Sequence, residues 1–108
     1  MAFIDYMKVI DIISMLFETA QKPEVSAIHD KVDYFDVNLT LPNESLLTYK
    51  LVLHKNQLEI ILARKYFSQK SFEKWVSRLE YELEQLFMRN IRLEIRDETI
   101  NYNIKILS

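Results

Sequence analysis

The sequence contains no glycine. Phosphate-cradling loops, dinucleotide fingerprints and nucleophile elbows need a residue that takes positive φ or lets a ligand approach the backbone, so those chemistries are excluded. Tight turns then fall to Asn, Asp and Pro, with Pro42-Asn43, Asn56, Asn90 and Asp97 as candidates. Cysteine is absent as well, which removes disulfides, thiol nucleophiles and thiolate metal sites and makes a reducing cytoplasm the expected location. The two histidines, His29 and His54, have no nearby partner at metal-ligand spacing, so they read as surface residues and no metal site is expected. Serines occur, but no motif sets one beside a base or supplies an oxyanion turn. Glu80, Glu82 and Glu84 read as a solvated acidic face, because an acid/base pair needs burial to separate its pKa values. No catalytic residue, cofactor or enzymatic activity is expected.

Long uncharged apolar runs are missing too. The opening "MAFIDYMKVIDIISMLFETAQ" is broken by Asp5, Lys8, Asp11 and Glu18 at helical spacing and has no basic leader, so it reads as neither signal peptide nor membrane span. No membrane partner is expected.

What is present is the composition of a chain that folds. Across 108 residues, 49% are hydrophobic and 28% charged, with six Phe, six Tyr and one Trp, enough for one domain over residues 1–108 with its own core. On a helical wheel over residues 3–20, Phe3, Tyr6, Val9, Ile10, Ile13, Leu16, Phe17 and Ala20 share a face. Residues 21–30, with Pro23, read as a surface connection.

Strict alternation follows in "DYFDVNLTL", "LLTYKLVLH" and "QLEIILARK". A two-residue loop at Lys55-Asn56 sets Leu53 opposite Leu58 and Leu51 opposite Ile60, with all apolar residues on one face. A loop over Pro42 to Leu46 sets Leu39 opposite Tyr49, Val37 opposite Leu51 and Phe35 opposite Leu53. A second helix, capped by Ser68 or Ser71 and stopped near Asn90, gathers Phe72, Trp75, Val76, Leu79, Leu83, Leu86 and Phe87 into one stripe. A turn at Asp97-Glu98 then joins two more strands, with Ile95 opposite Ile100 and Leu93 opposite Tyr102. The expected fold is α+β, a two-layer sandwich of order α-β-β-β-α-β-β, with a mainly antiparallel five-stranded sheet and two helices on one face. The other sheet face, with Asp36, Asn38, Lys50, Glu59, Asn103 and Lys105 among its residues, reads as solvated.

This helix-strand order resembles that of the small acidic class I type III secretion chaperones, which implies a dimeric protein-binding role. Its first five elements are also similar in order to double-stranded RNA-binding domains, which implies contact with nucleic acid.

Net charge is −2, but it is unevenly spread: residues 1–60 hold nine acidic and five basic side chains, residues 61–108 seven and nine. "ARKYFSQKSFEKW", residues 63–75, interleaves Arg64, Lys65, Lys70 and Lys74 with Tyr66, Phe67, Phe72 and Trp75. Basic and aromatic residues mixed in this way suit a nucleic-acid platform. Phe72 and Trp75 fall on the core stripe, however, so the expectation shifts to an anion or acidic-partner site formed by the four cations at a helix start. The charge order supports it: Lys70, Lys74 and Arg78 precede Glu80, Glu82 and Glu84, the reverse of what the helix dipole favours. The alternative is an unselected surface helix with an ordinary Arg78–Glu82 pair.

Ile4, Ile12 and Met15 lie on or beside the polar side of the first helix, making its apolar arc wider than one sheet requires; they read either as a helix edge covered by the following loop or as candidates for self-association. The function expected is therefore a small non-enzymatic protein-interaction module (an adaptor, inhibitor or secretion-type chaperone) that forms a homodimer and binds an unidentified protein. The alternative is a nucleic-acid-binding regulator using Arg64, Lys65, Lys70 and Lys74.

Overall fold

The computed structural model describes residues 4–28, 33–55 and 57–107. Asp5 opens helix α1 (Tyr6–Leu16): its side chain accepts from the Met7 N–H at 3.0 Å, satisfying one of the free donors of the first turn. The helix closes through Glu18, whose φ of 58° lets Glu18 N–H reach Met15 O and Thr19 N–H reach Ser14 O. This is the Schellman arrangement, with glutamate where glycine is usual. The helix is shorter than residues 3–20; Phe3 lies outside the described residues, and Ala20 is exposed.

Four strands follow: β1 (Glu24–Ala27), β2 (Tyr34–Thr40), β3 (Leu46–His54) and β4 (Gln57–Ala63). A 3-10 turn at Arg64–Tyr66 leads into α2 (Gln69–Phe87), and β5 (Arg92–Asp97) and β6 (Asn101–Leu107) complete the chain. The sheet has six strands, not five, in the order β1-β2-β3-β4-β6-β5, and all pairs are antiparallel. The extra strand is β1, read from the sequence as a connection. All four of its residues are exposed and Pro23 precedes it, so it is an edge strand held by backbone pairing to β2 with no apolar alternation to announce it. It also breaks the α-β-β-β-α order on which both family resemblances rest.

The β3–β4 hairpin has the expected register, Leu53 facing Leu58 and Leu51 facing Ile60; Asn56 itself lies outside the described residues. The other two hairpins slide. Phe35 faces Leu51, Val37 faces Tyr49 and Leu39 faces Leu47, because Leu41 N–H bonds Ser45 O at 2.8 Å and closes a shorter loop, Pro42-Asn43-Glu44. Glu44 takes φ 69° there, the left-handed residue such a loop demands. In β5–β6, Ile95 faces Ile104 and Leu93 faces Ile106. The turn sits at Thr99-Ile100, where Glu98 N–H bonds Asn101 O, and Arg64 N–H bonds Ile100 O at 2.9 Å to tie it to the end of β4. Both slips are even, so each side chain keeps its face.

Ser68 caps α2 by accepting from Ser71 N–H, and Ser71 Oγ in return accepts from Ser68 N–H at 2.9 Å. The helix ends at Phe87, with Met88 left-handed at φ 53°, two residues before the expected Asn90. Glu84 then fastens the outgoing chain, its Oε2 accepting from Ile91 N–H at 3.1 Å.

Both helices pack on one sheet face. Val9, Ile10, Ile13 and Leu16 of α1 and Phe72, Trp75, Leu79 and Leu83 of α2 join Val37, Tyr49, Leu51, Ile60, Leu62, Tyr102 and Ile104 in one buried cluster. Phe72 stacks on Tyr102 with ring centroids 3.6 Å apart, and Phe17 and Phe67 lie against Trp75 at 5.3 and 5.4 Å. No described helix is long and apolar enough to cross a membrane.

Candidate interaction surface

The four cations of residues 63–75 occupy different surroundings. Arg64 pairs with Asp97 and lies over the Tyr102 ring, 4.7 Å from its centroid, so its charge already serves the β5–β6 turn. Lys65 lies 5.4 Å above the Tyr66 ring. Lys70 and Lys74 are exposed on α2 and form no ion pair among the described residues, Lys74 bordering a shallow depression with Glu73, Ser77 and Arg78. The first turn of α2 is partly closed by its own capping box, which leaves fewer free donors for an anion. The aromatic residues belong to the fold. Phe72 and Trp75 are buried, Phe67 joins their cluster, and the Tyr66 hydroxyl accepts from Thr48 N–H at 3.5 Å. None is presented for base stacking.

A different surface emerges between the helices. Because α2 lies alongside α1, Ile12 faces the neighbouring helix and is only 9% exposed; it belongs to the core, not to an outward stripe. Ile4, just before the helix cap, also packs against that core. Of the three residues marked for self-association, only Met15 is open to solvent, at 47%. It gains a companion the sequence assigns elsewhere: Leu86, expected on the core stripe of α2, is 40% exposed. Met15, Leu86 and the edge of Ile12 line an open groove of about 440 Å³, bordered by Lys8 and Asp11 on α1 and by Glu82 and Gln85 on α2. Lys8, Asp11 and Glu82 form no ion pair among the described residues, and the Arg78–Glu82 pair expected from spacing is not made.

Within the core lies Tyr49, 1% exposed, whose hydroxyl has no hydrogen-bond partner among the described residues. Burial, and secondarily the Asp11 carboxylate, push this phenol well above its ordinary value.

The opposite sheet face holds a polar trough of about 400 Å³ lined by His54, Glu59, Glu94, Ile95, Arg96, Asn103 and Lys105. Glu59 is its fixed point: Oε1 is 3.1 Å from His54 Nε2, and Oε2 accepts from Asn103 Nδ2 at 3.0 Å. Sequence alternation sets Glu59, Asn103 and Lys105 on one face, but their meeting depends on β6 inserting beside β4, which alternation does not encode. His29 lies outside the described residues.

Comparison of the chain with models of protein families, with curated proteins and with solved structures finds no match.

Proposed function

We propose that the chain is a small non-enzymatic protein-interaction module, an adaptor, inhibitor or secretion-type chaperone, that acts as a homodimer joined through its helix layer. The observation that carries this reading is the groove between α1 and α2, where Met15 and Leu86 stand open beside the buried Ile12. Met7, Tyr81 and Met88, respectively 45%, 60% and 89% exposed, add apolar surface to the same two helices or their ends. Methionine is a favoured residue on adaptable binding surfaces because its unbranched, polarizable chain fits many shapes.

Sedimentation velocity from low to high micromolar concentration tests the reading. The native chain should sediment as a dimer that dissociates on dilution, and Met15→Asp should be monomeric while keeping native circular dichroism. A native chain that stays monomeric throughout overturns the homodimer. Filter binding of RNA and DNA at low salt, run beside it, should show no retention; retention lost on replacing Lys70 and Lys74 would instead favour the nucleic-acid reading.

A further inference from the structure

We propose that β5 is a second contact surface, one that pairs antiparallel with β5 of another copy of this chain about a two-fold axis through Ile95. The contact lies on the sheet edge, away from the helix layer, and stands independently of the homodimer proposed above. Among the described residues β5 pairs with β6 alone and forms one edge of the sheet, as β1 forms the other. A bare edge is a template for another strand unless it is short, interrupted or shielded. β1 has four residues and follows Pro23, whereas β5 has six and no proline. All but Leu93 are exposed.

The backbone of β5 is turned for this. Glu98 N–H bonds Asn101 O, so Glu98 directs its backbone groups at β6. Direction alternates along an antiparallel strand, so Arg92, Glu94 and Arg96 also bond β6, while Leu93, Ile95 and Asp97 present theirs to the free edge. The side chains then select the register. Arg92, Glu94, Arg96 and Glu98 follow one another with alternating sign on the open sheet face. A two-fold contact uses the same patch twice, so the patch must be complementary to itself. Turning this series about Ile95 sets Glu94 opposite Arg96 and Arg92 opposite Glu98, each pair twice, and leaves no charge of the series against its like. An axis through Glu94 would set Glu94 against itself and Arg92 against Arg96; one through Arg96 would set Arg96 against itself and Glu94 against Glu98. An axis through Leu93 would need the buried Ile91, outside the strand. The Glu94–Arg96 pairs also fall at non-hydrogen-bonded positions, where facing side chains come closest. Within each strand Arg92–Glu94 and Arg96–Glu98, both at 3.6 Å, are exposed and weak, so they extend into the cross-strand set instead of competing with it. On the helix side Ile95 faces the buried Ile104 yet is 43% exposed, so the helix layer stops short of this edge and Ile95 can meet its own copy at the axis. Asp97, which comes opposite Leu93, keeps its pair with Arg64.

A contact between two short strands is small, so it forms at about millimolar protein, above the range in which the helix-layer dimer is tested. Met15→Asp isolates it. In sedimentation equilibrium carried into the millimolar range, that variant should form a dimer and stop, whereas the native chain, joined at two surfaces, should pass beyond a dimer. On the Met15→Asp background, Ile95→Pro removes an edge-facing donor and no β5–β6 bond, and should abolish association. Glu94→Arg and Arg96→Glu should each weaken association at least about tenfold, because each sets like charges together twice. The two single variants mixed in equal amounts, and the Glu94→Arg/Arg96→Glu double variant alone, should regain the strength of the background. Strengthening by Arg96→Glu overturns the axis through Ile95 in favour of one through Glu94. Charge reversals without effect, a folded Ile95→Pro variant that still associates, or a Met15→Asp chain that stays monomeric into the millimolar range overturn the pairing of β5 edges and leave the helix-layer dimer standing. A native chain that is monomeric at micromolar concentration and still pairs through β5 at millimolar concentration overturns the helix-layer dimer alone. Circular dichroism and urea midpoints establish that each variant is folded; if Ile95→Pro is not, the charge reversals decide.

Discussion

At the scale of single residues, the most consequential side chain is the buried Tyr49. Its ring joins the core cluster, yet its hydroxyl finds no partner among the described residues. A buried donor left unsatisfied costs about 1–3 kcal/mol, so Tyr49→Phe should keep the packing and raise stability by about 1 kcal/mol in urea unfolding. The same hydroxyl makes the protein sensitive to alkali. The ordinary phenol titrates at 10.0, and burial raises the folded-state value above it. Below pH 10 both states hold the proton and the group is silent. Above it the unfolded chain ionises while the folded chain does not, so the unfolded state binds fewer protons and stability falls with rising pH. The loss approaches about 1.4 kcal/mol per pH unit. Urea midpoints from pH 9 to 11 should diverge between the native chain and Tyr49→Phe, the variant falling less steeply. Parallel curves would show that the Tyr49 phenol ionises equally in both states.

At the scale of elements, the absence of glycine leaves visible marks. Glu18 closes α1, Glu44 turns the β2–β3 hairpin and Met88 ends α2, all with positive φ. A left-handed L-residue costs about 1–2 kcal/mol, partly offset by the greater unfolded-state entropy of glycine, about 0.5–1 kcal/mol. Replacing each of these three by glycine should stabilise by about 0.5 kcal/mol, with the three effects adding because the sites are far apart in the chain and share no hydrogen bond. Chemical unfolding of the single and triple variants at pH 7, with unchanged denaturant slope, measures it. These same residues explain which features are legible in the sequence. The faces of β2, β3, β4 and β6 are legible, because a period of two survives any even slip. Their registers are less so: with glycine gone, Glu44 gives no sign that it will take the left-handed position, and the hairpin shortens to Pro42-Asn43-Glu44. The β5–β6 turn is set by Arg64, more than thirty residues earlier, through its N–H to Ile100 and its pair with Asp97. The candidate surface follows the same division. Met15 is legible from the helical wheel, whereas Leu86 and the burial of Ile12 depend on α2 lying beside α1, which no local pattern encodes.

At the scale of the whole molecule, one sheet face is covered by two helices and the other is open, so a chain of 108 residues buries its core from one side only. Domains of this size are modestly stable, and an interface that caps the helix layer would contribute directly to holding the protomer together. Assembly then appears in thermal unfolding. A folded dimer that melts to two unfolded chains gains stability by mass action, whereas a monomer does not. With an unfolding enthalpy of about 0.7 kcal/mol per residue, counted over both chains, each tenfold rise in protein concentration should raise Tm by about 3 °C. Met15→Asp, expected to be monomeric, should show a Tm independent of concentration and lower than the native value at the high end. A native Tm that does not move with concentration would mean that the helix layer is stable as an uncapped surface, and its exposed Met15 and Leu86 would then belong to a partner other than this chain.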